Sequence, residues 1–259
     1  MSKYMKVVAI LQARMSSSRL PGKVLMPILG KPMLAQQILR LQRAKNIGQL
    51  IVATSNDDQD KAIVELCQQL GISCFTGSLD NVLDRFYHAA KSAQADIVVR
   101  LTGDCPLADP EVIDSAIELH LTEKSGYTSN CEQPTYPDGF DVEVFNFSEL
   151  EGAWQKATIP SDLEHVTPYI RNKALIKKSL LTSAIDYSHY RLTVDEARDF
   201  QLVEQIYQVL SPQGQYFTSE QIFQLLSDKP ELAVINQDII RNEGYLKSLA
   251  QEQLNEQKS

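Results

Sequence analysis

VVAILQARMSSSRLPGKVL, residues Val7–Leu25, is the stretch around which the rest of the chain is organised. Its first five residues, Val7–Leu11, are all apolar, which is typical of a strand buried on both faces in a parallel sheet. The apolar run stops at Gln12 and is followed by a loop of small and hydroxyl residues that includes Ser16–Ser18 and Gly22. Small side chains let backbone amides approach an anion closely, so this loop is a candidate anion-binding loop.

Three cationic side chains lie in or next to this loop, those of Arg14, Arg19 and Lys23. Together they can neutralise several phosphate oxygens, so we expect the loop to bind a polyphosphate. The loop contains neither G-x-x-x-x-G-K-[ST] nor G-x-G-x-x-G, so no standard nucleotide motif identifies its ligand. The alternative is an ordinary strand-to-helix loop whose arginine and lysine side chains are solvated.

The composition is that of a globular protein with a local cationic exception. The chain has 259 residues, of which 43% are hydrophobic, and a formal net charge of −8, which opposes non-specific nucleic-acid binding. Its four cysteines show no C-x-x-C and no zinc spacing with the histidines, which indicates reduced thiols. No segment is long and apolar enough for a membrane span, so we expect a cytoplasmic protein that binds neither nucleic acid nor membrane.

The first half of the chain alternates apolar strands with amphipathic helices, the pattern of a parallel sheet covered by helices. Asp57 or Asp58 is predicted to cap the second helix, and Gly71 to end it. The fold class is therefore α/β. The predicted strands are residues 7–11, 49–54, 72–75 and 96–101, and the predicted helices are residues 32–44, 59–70, 80–93 and a segment starting at Pro110.

The second half is less regular but still predicts one domain over residues 1–259, with a core at about 6–196 and a helical extension at about 197–259. The segment Tyr190–Val194 reads as a short strand that leads into Asp195. Thr218 or Ser219 is predicted to cap a helix in the extension. The remaining predictions are a strand edge at 127–130, an exposed or antiparallel strand at 139–147, and helices at 149–157 and 162–172.

Two aspartates follow predicted strands, as the cationic loop does. Asp104 comes after the strand at 96–101, and Asp195 comes after the strand at 190–194. Ligands of open α/β sheets bind where the carboxyl ends of strands converge, so we expect one cleft that binds a nucleoside triphosphate with Mg²⁺. Each aspartate also has a structural interpretation, because Asp104 could bond local amides in a turn and Asp195 could cap the helix beginning near Glu196.

Five blocks of the sequence resemble the nucleotide-sugar cytidylyltransferases, the group with the acylneuraminate and KDO enzymes, and most closely the spore coat polysaccharide biosynthesis protein F type. The resemblance covers nearly all of residues 6–200 in block order. It implies a Rossmann-like nucleotide-diphospho-sugar transferase fold, CTP as the nucleotide, Mg²⁺ as the cofactor, and a homodimer. The blocks are QARMSSSRLPGKVL, TGDCPL, RLTVDEARDF, GSLDNVLDRFYHAA and EHVTPYIRN.

The resemblance also implies roles for individual residues. Two features depart from the acylneuraminate enzymes: the loop SSSRLPGKV replaces a G-S-K-G type, and Asp195 is followed by Glu196 instead of a second aspartate one residue on. The implied roles are phosphate binding for Arg14, Arg19 and Lys23, with Arg14, Lys23 and Asp104 as the catalytic set; metal binding for Asp104 and Asp195; base and ribose contacts for the backbone of Leu11 to Ala13 and the Gly77–Ser78 turn; and the acceptor pocket for Gly139, Asp141, Glu143 and His165.

The implied reaction is attack of a sugar hydroxyl on the α-phosphorus of CTP, giving a CMP-sugar for surface polysaccharide and pyrophosphate. Asp104 acting through the metal, or His165, is the candidate general base. A thiol nucleophile at Cys105 is disfavoured because no paired histidine is visible. The alternatives are another nucleotide, a sugar or alditol phosphate acceptor if the basic residues 173–178 face the cleft, and a non-catalytic nucleotide- or partner-binding module.

Overall fold

A computed structural model describes residues 5–256 of the chain, so the ends of the predicted domain, residues 1–4 and 257–259, lie outside the described residues. Four parallel strands of the first half are found where the apolar runs predict them, with ends that differ by one or two residues. The strands are β1 (Val7–Gln12), β2 (Pro27–Ile28), β3 (Lys31–Pro32), β4 (Gln49–Ser55), β5 (Ser73–Gly77), β6 (Ile97–Thr102), β7 (Tyr127–Ser129), β8 (Glu143–Asn146) and β9 (Lys178–Leu180).

Seven of these strands form one sheet in the order β5-β4-β1-β6-β8-β7-β9. β1 pairs in parallel with both β4 and β6, so the strand order reverses at β1. In such sheets the crevice at the reversal point, beyond the carboxyl ends of the strands, is the usual ligand site. The loop that follows β1 therefore starts at the position where a ligand is expected.

Helices cover both faces of the sheet, as an almost wholly buried parallel sheet requires. The helices are α1 (Met33–Leu41), α2 (Lys61–Leu70), α3 (Val82–Ser92), α4 (Pro110–Glu123), α5 (Phe147–Lys156), α6 (Pro160–His165), α7 (Pro168–Arg171), α8 (Ala197–Leu210), α9 (Ser219–Asp228), α10 (Pro230–Ala233) and α11 (Glu243–Glu256). One apolar core lies between the sheet and α1, α2 and α4, and a second lies between the sheet and α3, α5 and α7.

The strand predicted at 127–130 is present as β7, but its placement at an edge of the sheet is wrong. β7 lies inside the sheet, paired antiparallel with β8 and parallel with β9. β8 is antiparallel to β6 as well, so the alternation at 139–147 does mark an antiparallel strand, but a buried one. The short β9 covers β7 and could not be recognised from its sequence KSL, which has no apolar alternation.

The segment Tyr190–Val194 is not a strand, contrary to the prediction. It makes one isolated bridge, between Asp138 and Arg191, and its amides bond to two different segments. The amide of Leu192 donates to the carbonyl of Asp138 at 2.6 Å, whereas the amide of Val194 donates to the carbonyl of Asp104 at 2.7 Å. A ladder needs one continuous partner, and this segment instead joins two loops at the edge of the cleft.

Local residues predicted some of the helix ends correctly and others wrongly. Gly71 ends α2 in the left-handed conformation, and Thr218 caps α9 through a reciprocal pair with Gln221, both as predicted. The predicted capping by Asp57 or Asp58 is wrong, because neither side chain caps the helix and Asp58 pairs with Lys61 instead. The predicted helix at 162–172 is two helices, α6 and α7, because the backbone at Val166 takes a positive φ of 71°.

The helical region after the sheet has two parts. α8 and α9 pack with the 190–194 segment around a third apolar core that includes Leu192, Val194 and Phe217. α11 instead lies against α6. Within residues 5–256, no helix combines the length and the apolar composition that crossing a bilayer requires.

Candidate active site

The loop after β1 is attached to its neighbours by buried backbone contacts. The amide of Ala13 donates to the carbonyl of Ala53 at 3.1 Å, and that of Met15 donates to Oδ1 of Asp60 at 2.7 Å. Asp60 is 2% exposed, and its other oxygen accepts bonds from Thr54 and Ser55. Burial alone would raise the pKa of Asp60, but these bonds outweigh burial and hold the pKa below its usual range. Asp60, to which no sequence pattern assigned a role, is therefore the anchor of the loop.

The loop, Asp104 and Asp195 all border one cavity of about 460 Å³ at the carboxyl ends of β1 and β6. The three cations predicted from the sequence, Arg14, Arg19 and Lys23, line this cavity. The structure thus brings together side chains that are up to 181 positions apart in the sequence, Arg14 and Asp195. The interpretation of the cations as separately solvated residues does not fit this arrangement.

Lys23 is the most enclosed of the three predicted cations, 7% exposed. Its Nζ donates to the carbonyl of Val194 at 2.6 Å, and it lies 3.1 Å from Oδ1 of Asp195 and 3.6 Å from Oδ2 of Asp104. Both aspartates therefore face the same point. The lysine charge offsets part of the two negative charges, which lowers the cost of enclosing Lys23 beside the partly exposed aspartates.

Asp195 is held from two sides. Arg19 contacts its Oδ1 at 2.8 Å, and Nη2 of Arg191 donates to its Oδ2 at 2.9 Å. Burial would raise the pKa of Asp195, but Lys23, Arg19 and Arg191 together lower it, so the side chain is a carboxylate at neutral pH. The cap of α8 is Glu196, which bonds reciprocally with Asp199, so the interpretation of Asp195 as the cap is wrong.

Arg191 connects this carboxylate to the interior. Its guanidinium also contacts Asp138 at 2.8 Å and makes two bonds to Asp199 at 2.9 and 3.0 Å. Arg191 is 7% exposed and Asp199 is fully buried. Arg191 therefore fixes the orientation of Asp195. Both residues belong to the block RLTVDEARDF, but no local pattern indicates that their side chains contact each other.

The two aspartates fit a magnesium ion better than a closed metal site. Mg²⁺ in nucleotide enzymes takes one or two carboxylates and fills its other positions with water and phosphate oxygens. Asp104 and Asp195 offer that donor set, whereas no group of three or more His, Cys, Asp or Glu side chains within residues 5–256 is placed to hold a metal. An ion bound by both carboxylates would share them with Lys23.

A second cavity of about 220 Å³ adjoins the first and shares Asp104, Asp195 and Arg100 with it. Asp141, Glu143 and His165, which the resemblance assigned to the acceptor, line this second cavity. The two cavities thus meet at the aspartate pair, with room for one ligand on each side.

Asp141 and Glu143, the two acidic residues assigned to the acceptor, are each paired with an arginine. Oε2 of Glu143 contacts Arg100 at 2.5 Å, and Oε1 accepts from the Tyr127 hydroxyl at 2.5 Å. Burial opposes ionisation of Glu143, yet Arg100 and Tyr127 lower its pKa. Asp141 contacts Arg241 at 2.5 Å, but burial outweighs this arginine and raises the pKa of Asp141.

His165 ends α6 and borders both cavities. Its Nε2 lies 3.0 Å from the hydroxyl of Ser248, and its ring packs edge-on against Tyr245. Burial lowers the pKa of His165, so the ring is neutral at pH 7. A neutral ring can accept a proton, which keeps His165 a candidate base.

Of the other residues predicted for the site, Ala13 lines the larger cavity, whereas Leu11, Gly77, Ser78 and Gly139 do not. Leu11 is fully buried, while Gln12 and Ala13 beside it line the larger cavity. Gly77, Ser78 and Gly139 line neither cavity. Gly139 has a φ of 107°, and a Cβ there would lie 2.5 Å from the backbone of Leu192, so this glycine permits a close approach of two loops.

The start of α11 covers the site from the solvent side. Gly244, Lys247 and Ser248 line the larger cavity, and Glu243 contacts Nη1 of Arg19 at 2.8 Å. Glu252 accepts bonds from the amide and hydroxyl of Ser161, which tie the helix to α6. The C-terminal helix is therefore part of the site wall.

The positions of three lysines and of Cys105 bear on two alternatives, a phosphate acceptor and a thiol nucleophile. Lys173, Lys177 and Lys178 pair with glutamates on the surface and line neither cavity. These basic residues therefore do not face the cleft, as a role in binding a phosphate acceptor would require. Cys105 lies in the second cavity, but burial raises the pKa of its thiol well above the usual value. A protonated thiol is a poor nucleophile.

Comparisons with known proteins agree with the family resemblance of the five sequence blocks. The family model for cytidylyltransferases matches residues 8–237. An uncharacterized protein of Methanocaldococcus jannaschii is 37% identical over 246 residues, 93% of this chain and 98% of that protein. The spore coat polysaccharide biosynthesis protein SpsF of Bacillus subtilis is 34% identical over 235 residues, 88% of this chain and 96% of that protein. A 3-deoxy-manno-octulosonate cytidylyltransferase of Trichlorobacter lovleyi is 39% identical over 119 residues, 45% of this chain and 46% of that protein.

Solved structures show the same fold. A cytidylyltransferase from Leptospira borgpetersenii superposes with a TM-score of 0.84 at 32% identity, covering 93% of this chain and 98% of that one. A CMP:2-keto-3-deoxy-manno-octonic acid synthetase complexed with CTP gives a TM-score of 0.59 at 20% identity, covering 78% of this chain and 98% of that one. The second similarity concerns the fold alone.

Proposed function

This chain belongs to the cytidylyltransferase family, and from that premise we propose that it transfers CMP from CTP to a hydroxyl of an acidic sugar and releases pyrophosphate. The observation that carries the proposal is the placement of Lys23, a buried lysine between Asp104 and Asp195 in a cavity that also contains Arg14 and Arg19. Cations enclosed at the carboxyl ends of parallel strands favour a polyphosphate ligand.

In this proposal the residues of the larger cavity hold the triphosphate. Arg14, Arg19 and Lys23 stabilise the negative charge that grows on the phosphates as pyrophosphate leaves. Asp104 and Asp195 would hold Mg²⁺, which supplies charge neutralisation and alignment of the phosphate oxygens when it is bound. Lys23 and Arg19, with a smaller contribution from Arg191, lower the pKa of Asp195 and keep it ionised, and Arg191 orients it.

The acceptor would lie in the smaller cavity, next to the aspartates. Arg100 and Arg171 line it, and a guanidinium is the group best suited to bind a sugar carboxylate. The neutral ring of His165 is the candidate to accept the proton of the attacking hydroxyl. The names of two relatives also support a sugar acceptor. One is named for spore coat polysaccharide biosynthesis, and the other for 3-deoxy-manno-octulosonate, a sugar acid. We extend the proposal to surface polysaccharide synthesis in the cytoplasm by a homodimer.

Pyrophosphate release tests the proposal. The purified protein is incubated with Mg²⁺, one of CTP, UTP, ATP or GTP, and a panel of acidic sugars and sugar phosphates. We expect release with CTP and an acidic sugar, and loss of at least about a hundredfold in both Asp104→Asn and Asp195→Asn. Asp228→Asn is the matched control, because Asp228 is exposed on α9 and lines neither cavity.

The other outcomes separate the alternatives. Release with UTP, ATP or GTP but not with CTP would replace CTP by another nucleotide. Release only with sugar or alditol phosphates would replace the acidic acceptor. Full activity in Asp104→Asn and Asp195→Asn would contradict the assigned roles, and no thermal stabilisation by any nucleotide would leave only a partner-binding module.

A further inference from the structure

The hydroxyl of Ser248, on α11, lies against the imidazole ring of His165, the candidate base at the end of α6. The hydroxyl oxygen is 3.0 Å from Nε2, and Nδ1 makes no hydrogen bond within residues 5–256. The ring itself borders both cavities. One ring nitrogen is therefore held by the C-terminal helix, whereas the described residues leave the other to a ligand.

The hydroxyl of Ser248 has three polar neighbours but only one proton to donate. Besides Nε2 of His165, its oxygen lies 3.1 Å from Oε2 of Glu164 and 3.2 Å from the carbonyl oxygen of Gly244. A carboxylate and a carbonyl can only accept, so the hydroxyl proton goes to one of these two oxygens, and the charged carboxylate is the stronger acceptor. The serine oxygen then bonds Nε2 by accepting, which places the ring hydrogen on Nε2 and leaves the lone pair on Nδ1.

The opposite tautomer leaves acceptors facing acceptors. If Ser248 donated its proton to Nε2, its oxygen would lie against the oxygens of Glu164 and Gly244 with no proton between them. Oε2 of Glu164 also lies 3.8 Å from Nε2 itself, and a negative oxygen at that distance favours a hydrogen on that nitrogen. The contacts around the ring therefore favour one tautomer of neutral His165.

α11 presents one face to α6. Tyr245, Ser248 and Glu252 are spaced at i, i+3 and i+7, which places them on one side of a helix. The ring of Tyr245 packs edge-on against His165, and Glu252 accepts bonds from the amide and hydroxyl of Ser161 at 2.6 and 3.0 Å. α11 thus holds α6 at both its beginning and its end.

The backbone just after His165 needs such support. Val166 has a φ of 71° and a ψ of −52°, and the amide of Thr167 donates to the carbonyl of His165 at 2.8 Å. This is a three-residue γ-turn with a positive φ, a strained conformation that is rare for a branched residue. Strain of this kind persists only where surrounding contacts hold it. The contacts of α11 with α6 provide part of that hold and fix the position of the His165 ring.

We propose that Ser248 is a positioning residue for His165: its hydroxyl accepts from Nε2 and donates to Glu164, so that Nδ1 is the atom that takes the proton of the attacking hydroxyl. The inference rests on the proposed function, because it assumes that a sugar hydroxyl reacts beside His165. As the sugar oxygen bonds to the α-phosphorus, the bond from that phosphorus to pyrophosphate breaks, and its electron pair leaves with pyrophosphate. The hydroxyl proton moves to Nδ1 and passes from the imidazolium to solvent afterwards.

The same contact stabilises the imidazolium that forms. After the proton transfer both ring nitrogens of His165 carry hydrogens, and Nδ1 and Nε2 share a positive charge. The hydrogen on Nε2 is then bonded through the Ser248 hydroxyl to the carboxylate of Glu164. Hydrogen bonds with a charged partner are stronger than neutral ones, so this chain favours the charged ring more than the neutral ring.

Charged groups from several elements face the His165 ring. Burial lowers the pKa of His165 most, two glutamates raise it, and two arginines lower it further. The glutamates are Glu164 on α6 and Glu143 on β8, and the arginines are Arg100 on β6 and Arg171 on α7. On α11 the uncharged Tyr245 contacts the ring, and the charge of Lys247 is paired with Glu243 at 2.7 Å. Ser248 is thus the link through which α11 acts on a ring whose charge is opposed by burial.

The tautomer and the pKa of His165 are measurable by NMR on protein labelled with ¹⁵N and ¹³C at its four histidines, the His165 signals being those that His165→Gln lacks. In wild type, neutral His165 should carry its hydrogen on Nε2. Ser248→Val and Ser248→Thr are matched in shape and differ in the hydroxyl. The pKa of His165 should be lower in Ser248→Val than in Ser248→Thr by about half to one pH unit, the equivalent of one hydrogen bond.

Pyrophosphate release with CTP and an acidic sugar gives the second readout. Ser248→Val should lower kcat about tenfold and keep the KM for CTP within about threefold, because the hydroxyl acts on the proton acceptor. The rising limb of the profile of kcat against pH should move to lower pH along with the pKa of His165, since the base acts unprotonated. Ser248→Thr should keep wild-type values, and Gln253→Ala, at an exposed position on the same helix, should change none of them.

Three results would overturn the inference: a hydrogen on Nδ1 of neutral His165 in wild type, equal kcat values and pH profiles for Ser248→Val and Ser248→Thr, or a lower kcat in both variants with the rising limb unmoved. The last of these would reduce Ser248 to a support of α11. Absence of pyrophosphate release by wild type with every nucleotide would instead contradict the proposed function. The NMR comparison would still decide whether Ser248 fixes the tautomer of His165.

Discussion

Asp60 provides a direct test of how the loop after β1 is held. Its two oxygens accept from the Met15 amide at 2.7 Å, from the Ser55 amide at 3.0 Å and from the hydroxyls of Thr54 and Ser55 at 2.9 and 2.6 Å. In Asp60→Asn one acceptor oxygen becomes an amide that itself donates. The hydroxyls can rotate to accept, but a backbone amide cannot, so either Met15 or Ser55 loses its partner.

The expected cost follows from that one loss. A buried donor left without an acceptor costs about 1–3 kcal/mol, and bonds to charged acceptors lie in the upper part of that range. We therefore expect the free energy of unfolding to fall by about 2–3 kcal/mol, measured by urea denaturation at pH 7 with circular dichroism. Asp58→Asn is the matched control, because Asp58 lies two residues away, is exposed and pairs only at the surface with Lys61.

The pH dependence gives a second readout. The folded-state pKa of Asp60 lies below its ordinary value of 3.8, so its ionised form stabilises the fold above that pH, and the contribution is lost as the pH falls through the folded pKa. The difference in stability between wild type and Asp60→Asn should therefore be full at pH 7 and shrink below about pH 4. If Asp60→Asn unfolds at the same urea concentration as Asp58→Asn, the anchoring role is refuted.

Three further outcomes are expected. Arg191→Met leaves three acidic side chains without their shared cation, so the free energy of unfolding, measured in urea, should fall by about 3–5 kcal/mol. Arg198→Met, at an exposed position, is the control and should not change it. Equal free energies of unfolding for the two variants would contradict a stabilising role of Arg191. Glu243→Gln removes the carboxylate that contacts Arg19, so the KM for CTP should fall about twofold at low salt. A higher KM would show that Glu243 aids binding. Cys105→Ser should keep its turnover within about threefold, because the buried thiol stays protonated; loss of activity would restore the thiol as a nucleophile.

Local patterns were sufficient wherever one segment decides its own structure. The apolar run Val7–Leu11 and the alternation that follows it predict the parallel part of the sheet, because burial on both faces needs a continuous apolar strand. Gly71 and Thr218 end and start helices through bonds within a few residues. Arg14, Arg19 and Lys23 could be grouped from the sequence because they belong to one loop.

Contacts between distant segments decided the rest. The segment Tyr190–Val194 has the composition of a strand, but its amides are used by two separate loops, and no local propensity contains that information. The contact between Arg19 and Glu243 joins residues 224 positions apart. No local pattern assigned a role to Asp60, which anchors the loop because β4 pairs with β1 and brings this aspartate beside Met15.

The sequence by itself determined the α/β class, the cationic loop and the two aspartates at strand ends, since these follow from periodicity and from residue types within short stretches. The tertiary structure alone decided which side chains surround them: Arg191 supports Asp195, and the start of α11 covers the larger cavity. The physical reason is that burial and pairing of a charged or polar side chain depend on atoms brought from remote parts of the chain by packing. The free energy of those contacts belongs to the assembled core and not to any one segment.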